Sequence, residues 1–488
     1  MKGAVPPRAT FRDVLAVREF RVLWSSVVLS TAGDRLALVA LTLLVYGRTG
    51  SPLLAAVVYA AGYLPWVIGG LFLADVADRR PRRSVMVFCD AARAVLVAAM
   101  VIPHLPLAVL VALLFAATMF APPFESARAS ITPDILTGER YVLGSSVLQT
   151  TFLGSQVLGA VAGGVAVAFI GVRRSLLIDS ATFVLSGLLI AFGTRARPAA
   201  ARPESVRASP LARMRDGFRL VFRDPALRTL LLFGWLVIFY IIPEGIAAPY
   251  AARLGGGSIA TGLVIASTAL STTIAMPLFS RFVRPRQRIN WMGPLAVLTC
   301  ATLVLTALRP GLAASLVIFS LSAAFGVYQN AANTAFVIRV PNERRAQAFG
   351  IASMGVIVGQ GAAFVAAGAA AEVVTPAAVI AIGGGIGAVI AFVLTLRWRH
   401  VSPPGGRHAA GRRPGHAATS SSVPLRGSRL AAGCGLPSSP RVAHWEFLSA
   451  RMASGPGRAQ TQLMRMQLRL PPAAICGRGT TPGECNAG

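Results

Sequence analysis

A chain of 488 residues in which 55% are hydrophobic and only 13% charged is too apolar for a soluble domain, and its mean hydropathy of +0.64 agrees. The formal net charge is +29, with 47 basic residues against 18 acidic ones. All but one of the lysines and arginines are arginine, the exception being Lys2, and between the apolar runs the arginines gather in the loops. That pattern excludes a nucleic-acid surface as the main reading and favours the rule that keeps basic loops on the cytoplasmic side.

The apolar runs recur at membrane length, and in lipid each must be helical to satisfy its own backbone. Twelve spans are predicted, approximately 22–46, 53–74, 84–102, 106–124, 145–170, 174–193, 227–250, 258–280, 290–308, 312–336, 347–371 and 375–397, numbered spans 1 to 12 in chain order. Alternate loops carry most of the arginine, including Arg79, Arg80, Arg82 and Arg83, nine residues between Arg195 and Arg228, and the run Arg281 to Arg288. This asymmetry predicts a cytoplasmic location for both termini and the central loop. Met1 to Glu19 is polar and basic, so no cleavable leader is expected. The five cysteines imply no disulfide framework.

The expected fold is an all-α membrane protein with twelve transmembrane helices in two pseudo-symmetric six-helix bundles. Residues 1–21 form a cytoplasmic segment, 22–193 the first bundle, 194–226 a cytoplasmic linker and 227–400 the second bundle. In the linker, Leu211, Met214, Phe218 and Phe222 recur at helical spacing between arginines, which suits a helix on the inner membrane surface. Residues 401–488 are rich in Gly, Pro, Ser and Arg and read as a disordered basic tail.

Between spans 2 and 3 lies Gly69-Gly-Leu-Phe-Leu-Ala-Asp75-Val-Ala-Asp78-Arg79-Arg-Pro-Arg82-Arg83. Asp75 and Asp78 are one helical turn apart and share a face. The loop resembles motif A of the major facilitator superfamily. Asp78-Arg79 match its Asp-Arg and Arg82-Arg83 its basic pair, while Ala74 stands at a usual glycine. Pro81 replaces the second glycine, as in the enterobactin-exporter and macrolide-efflux branch. The resemblance implies the major facilitator fold, with this loop as a gate between the halves. Asp78 would meet the N-terminus of span 11 near Glu343 to Ala346, and Arg79, Arg82 and Arg83 would bridge to acids of their own half. The plainer reading is a topogenic basic loop. Arg281 to Arg288 repeats the Arg-Pro-Arg core at the corresponding place in the second half, without the acids.

Ionisable residues at bilayer depth are costly and so are functional candidates. Asp34, beside Gly33 and Arg35 on span 1, either exchanges protons or forms a static pair with Arg35 or another buried partner. Glu244 sits between Pro243 and Gly245 on span 7, a broken-helix signature that suits proton or substrate handling. Asp90 and Arg93, three apart on span 3, are expected to pair with each other and support the motif A gate rather than touch substrate. Asp179 and the pair Glu125/Arg128 are expected to be structural or gate residues. Gln149 and Gln156 on span 5, Asn330 and Asn333 on span 10 and Gln360 on span 11 are candidates for cavity hydrogen bonds or helix–helix bonds. Gly159 and Gly163, followed by Gly164, permit close packing of span 5. That stretch is similar to motif C of exporters, with Ala160 where the motif carries proline. Gly355, Gly359 and Gly361 on span 11 read as further close-packing points.

There is no Walker loop and no metal-ligand spacing. The expected function is transport rather than catalysis: proton-coupled efflux of a small amphipathic molecule (a drug, siderophore or secondary metabolite) by alternating access. The alternatives are an importer or uniporter on the same fold, or a membrane sensor or scaffold without transport. Expected partners are a small-molecule substrate, protons and the lipid bilayer of the inner (plasma) membrane. The chain is expected to be a monomer with no cofactor, no metal and no nucleic acid.

Overall fold

The computed structural model describes residues 10–72, 80–197 and 210–401, and among these the regular structure is entirely helical. Ten of the described helices are long and apolar enough to cross a membrane. One of them, Glu139–Gly193, is 55 residues long, about 80 Å at helical rise, which is more than twice what one crossing needs. It breaks at Gly171, whose φ of 78° and ψ of 168° are open to a residue without Cβ, so spans 5 and 6 fold back on each other there. A further helix, Arg82–Ala99, occupies span 3 and carries Arg82, Arg83, Asp90 and Arg93. The residues from 401 onward that the sequence predicts as a disordered tail lie, from 402, outside the described residues, as do Asp75, Asp78 and Arg79.

Local chemistry sets the helix ends. Span 1 is Arg18–Thr49 and stops at Gly50, which takes the left-handed conformation (φ 65°) and donates its N–H to the Tyr46 carbonyl at 2.8 Å. Span 2 starts at Pro52 behind Ser51, whose hydroxyl accepts the Leu54 N–H at 3.2 Å. Asp224 caps the start of span 7 in the same way, accepting the Ala226 N–H at 2.8 Å. The predicted linker helix is present as Pro210–Arg223, with Phe218 half exposed and stacked on Phe222 at 4.1 Å between centroids.

Span 7 is fragmented, as Pro243 and Gly245 predict. It runs as Pro225–Trp235, Val237–Tyr240, Ile242–Gly245 and Ala247–Arg253. Gly245 lets span 11 approach, because a Cβ there would lie 2.3 Å from the Phe364 ring. Spans 8, 11 and 12 are the long helices Gly257–Phe282, Arg345–Val373 and Pro376–Val401. The close-packing glycines of span 11 meet span 7 through Gly355 against Trp235 and Gly359 against Ile238, and meet span 2 through Gly361 against Leu64.

Candidate functional site

The two ends of the molecule differ. At the end that carries Gly50 and Gly171, the two halves touch. Ser51 donates its hydroxyl to the Glu372 carboxylate of span 11, which also accepts the Leu53 N–H at 3.1 Å. Gly368 packs against Pro52, Leu53 and Ala56, where a Cβ would lie 2.5 Å from the Ala56 methyl. Span 5 meets span 8 at Gly164 and Gly262, where a Cβ on Gly164 would lie 2.6 Å from the Ser258 carbonyl oxygen. Gly159 and Gly163 pack instead on span 1, against Ala32 and Leu36.

At the opposite end the described ion pairs each lie within one half. Arg82 pairs with Asp134, Arg197 with Glu19 at 2.6 Å, and Arg339 with Asp224 at 3.3 Å. Arg82 thus meets an acid of its own half. Arg83 donates to the Ala191 carbonyl at the end of span 6, and among the described residues no acid pairs with it. In this state the guanidinium satisfies one of the carbonyls that a helix C-terminus leaves free.

A cavity of about 290 Å3 lies among the helices, with walls that include Asp34, Arg35, Tyr63, Arg93, Gln156, Asp179 and Gln360. Asp34 forms an ion pair with Arg93 of span 3, not with Arg35. The expected Asp90–Arg93 bond is absent from the side-chain bonds described for the two residues. The Arg93 guanidinium lies over the Phe183 ring, 4.2 Å from its centroid, which directs it away from its own helix toward span 1. Asp90 takes the Ser186 hydroxyl at 2.6 Å instead. Arg93 therefore lines the cavity, which corrects the expectation that it serves only the gate.

Asp179 is expected from the sequence to be a structural or gate residue, and it also lines the cavity. It is fully buried, and its Oδ1 sits where a Cβ on Gly33 would be, 2.2 Å away, so span 6 abuts span 1 beside Asp34. The Thr182 hydroxyl approaches that oxygen at 3.4 Å, while Oδ2 is buried with no hydrogen-bond partner among the described residues.

Glu244 is not among the cavity-lining residues. It joins three helices, accepting the Tyr59 hydroxyl at 3.0 Å and the Thr268 hydroxyl at 2.7 Å. Tyr59 packs edge-on against Phe364 at 5.0 Å, and Tyr63 tilts against the same ring at 5.3 Å. Arg35 donates to the Tyr63 hydroxyl at 3.1 Å. These aromatic contacts bind spans 2, 7, 8 and 11 together between the cavity and the closed end.

Of the amide candidates, Gln156 and Gln360 line the main cavity. Asn330 and Asn333 line a second hollow of about 370 Å3 in the C-terminal half, with Trp235, Phe336 and Phe349. Ile357 borders both spaces. Gln149 is exposed and lines neither, a correction to its place among the cavity candidates. Sequence reasoning missed the role of Glu372, although Ser51-Pro52 marked a helix start that a carboxylate favours.

The family model described as Major Facilitator Superfamily matches residues 23–342. The chain is 31% identical over 211 residues to the multidrug efflux pump Tap of Mycolicibacterium fortuitum, covering 41% of this chain and 51% of that protein. It is 20% identical over 229 residues to macrolide efflux protein A of Streptococcus pyogenes, covering 46% and 56%. The chain thus spans little more than half the length of these two relatives. Among solved structures, the nucleoside transporter NupG superposes with a TM-score of 0.61 at 15% identity, covering 78% of this chain and 99% of that one. A bacterial homologue of the iron transporter ferroportin, in an inward-facing state, superposes with a TM-score of 0.59 at 16% identity, covering 79% and 99%. At such identities the likeness is one of fold.

Proposed function

The chain belongs to the Major Facilitator Superfamily, and on that premise we propose that it exports a small amphipathic molecule across the plasma membrane in exchange for protons. It is a transporter rather than an enzyme. The observation that carries the proposal is a charged cavity beside a closed inter-half contact, with the acid Asp34 on its wall and 44% of its side chain exposed. A carboxylate that is both ion-paired and reachable can trade its partner for a substrate or a proton.

With the arginine-rich loops in the cytoplasm, the Gly171 end faces outward and the described state is closed to the outside. Rocking of one six-helix bundle against the other would open that end and close the other, with Asp78 engaging the N-terminus of span 11. Asp34, Arg35 and Glu244 are the proposed proton-coupling or substrate-binding residues, and Gln156, Gln360, Asn330 and Asn333 offer hydrogen bonds to the cargo. Tap and macrolide efflux protein A carry efflux in their names, which supports the outward direction. The working form is a monomer that uses no cofactor.

The test is accumulation of drugs or metabolites in an efflux-deficient bacterial host, with and without a protonophore. Expression of the wild-type chain should lower accumulation, and the protonophore, Asp34→Asn and Asp78→Asn should each restore it. Accumulation raised by the wild type would reverse the direction. No effect with any compound would refute the exporter reading.

A further inference from the structure

The cavity has more acid than its basic residues can answer. Arg93 is the cation of a cluster that contains Asp34, Asp90 and Asp179, and Asp34 holds it. Arg35 points to the Tyr63 hydroxyl, and Arg128 is committed to Glu125. Two carboxylates near Arg93 are therefore left without a counter-ion, and a charged carboxylate buried without a partner is strongly disfavoured. Asp90 takes the Ser186 hydroxyl on Oδ2 at 2.6 Å, its Oδ1 also lacks a partner among the described residues, and it is not among the cavity-lining residues. Asp179 has no comparable donor, its Oδ2 is orphaned, and it lines the cavity.

We infer that Asp179 carries the exchangeable proton, and that a cationic substrate bound at Asp34 drives it off by releasing Arg93 to Asp179. The inference rests on the exporter reading and names its substrate class. Asp34 is the half-exposed member of its ion pair, so an incoming ammonium or phosphonium reaches it first. Arg93 then loses its partner while still stacked on Phe183, which serves as a pivot. Its Nε is buried and unbonded, so the guanidinium gains a hydrogen bond by turning. Asp179 is close at hand, because its Oδ1 abuts Gly33, the residue before Asp34. The O–H bond of the Asp179 carboxyl breaks, its proton passes to water in the cavity, and the guanidinium neutralises the carboxylate left behind. Release of the cation on the far side reverses each step, so a proton and a cation alternate on one set of charges. The groups that face Asp179 are Asp34 and Arg93, with Asp90 behind Ser186, Thr182 on its own helix, and Arg35 and Glu125 elsewhere on the cavity wall.

The experiment is binding of tetraphenylphosphonium to the purified full-length chain in detergent, measured from pH 6 to 9. The wild type should bind about tenfold tighter per pH unit over the range in which a single linked proton comes off, and should acidify a weakly buffered sample on binding. Asp179→Asn should bind with an affinity that no longer varies with pH and should release no proton. A second measurement does not require that variant to fold. Infrared spectra of the ligand-free wild type should contain a protonated-carboxyl band that Asp34→Asn removes, because that change frees Arg93 in advance. The inference is overturned if Asp179→Asn keeps the pH slope, if the wild type binds without releasing a proton, if it does not bind the probe, or if Asp34→Asn retains the band. Proton-driven export of the probe by wild type and Asp179→Asn alike would sink the inference and leave the exporter standing, whereas absence of export by the wild type for every compound would remove the exporter reading itself.

Discussion

Gly164→Ala adds one methyl group at the contact that holds the two halves together near Gly171. The new Cβ would lie 2.6 Å from the Ser258 carbonyl oxygen and 3.1 Å from the Gly262 Cα, both backbone atoms of span 8 that cannot swing aside. An ordinary carbon–oxygen contact is about 3.3 Å, so the two helices must part by roughly 0.7 Å. Overpacking of this kind costs about 1–3 kcal/mol. The cost falls mainly on the state in which spans 5 and 8 touch, so about 2 kcal/mol would shift the ratio of closed to open forms roughly 30-fold. Spin labels placed at the exposed positions Thr49 and Val373, one in each half at this end, would read the change as a longer inter-label distance. Size-exclusion chromatography and thermal melting would check that the variant is folded. An unchanged distance distribution in a folded Gly164→Ala protein would refute the claim that this contact holds the end shut.

Three further outcomes are expected. Tyr59→Phe removes the 3.0 Å hydrogen bond to Glu244 and leaves one carboxylate oxygen short of its donor, so the thermal midpoint should fall by the equivalent of about 1–3 kcal/mol, and an unaltered melt would argue against the bond. Gly33→Ala places a Cβ 2.2 Å from Asp179 Oδ1 and 2.4 Å from Thr182 Oγ1; it should cost about 1–3 kcal/mol and abolish proton release on binding, and retention of both would contradict the packing described. Glu372→Gln keeps the size of the side chain but weakens its bonds to Ser51 and the Leu53 N–H. A cysteine at Ala56 should then react faster with an aqueous maleimide, and an equal rate would show that Glu372 does not secure this end.

The positions of the spans, the broken course of span 7 and the fold-back near Gly171 are legible in the sequence because each depends on local chemistry. A helix in lipid must satisfy its own backbone, so a membrane-length apolar run declares itself whatever packs around it. Proline removes a backbone donor and glycine opens φ, so Pro243, Gly245 and Gly171 act at their own positions. The close approaches at Gly159 and Gly163 follow from the same reasoning, though not the identity of the partner helix.

The pairing of charges was different. Spacing alone puts Asp90 within reach of Arg93, yet Arg93 joins Asp34, because Phe183 and Ser186 on span 6 redirect both members of the expected pair. Asp179 reads as one more acid near a helix start, and only the apposition of spans 1, 3 and 6 leaves its Oδ2 buried and unanswered at a cavity wall. Gln149 and Gln156 are seven residues apart on one helix, and only the packing of neighbouring spans exposes the first and turns the second to the cavity. Composition and periodicity determined which segments enter the membrane, since that is settled one helix at a time; which charges meet there was decided by the tertiary structure, because a buried ionic group takes its state from neighbours that the chain brings in from far along its length.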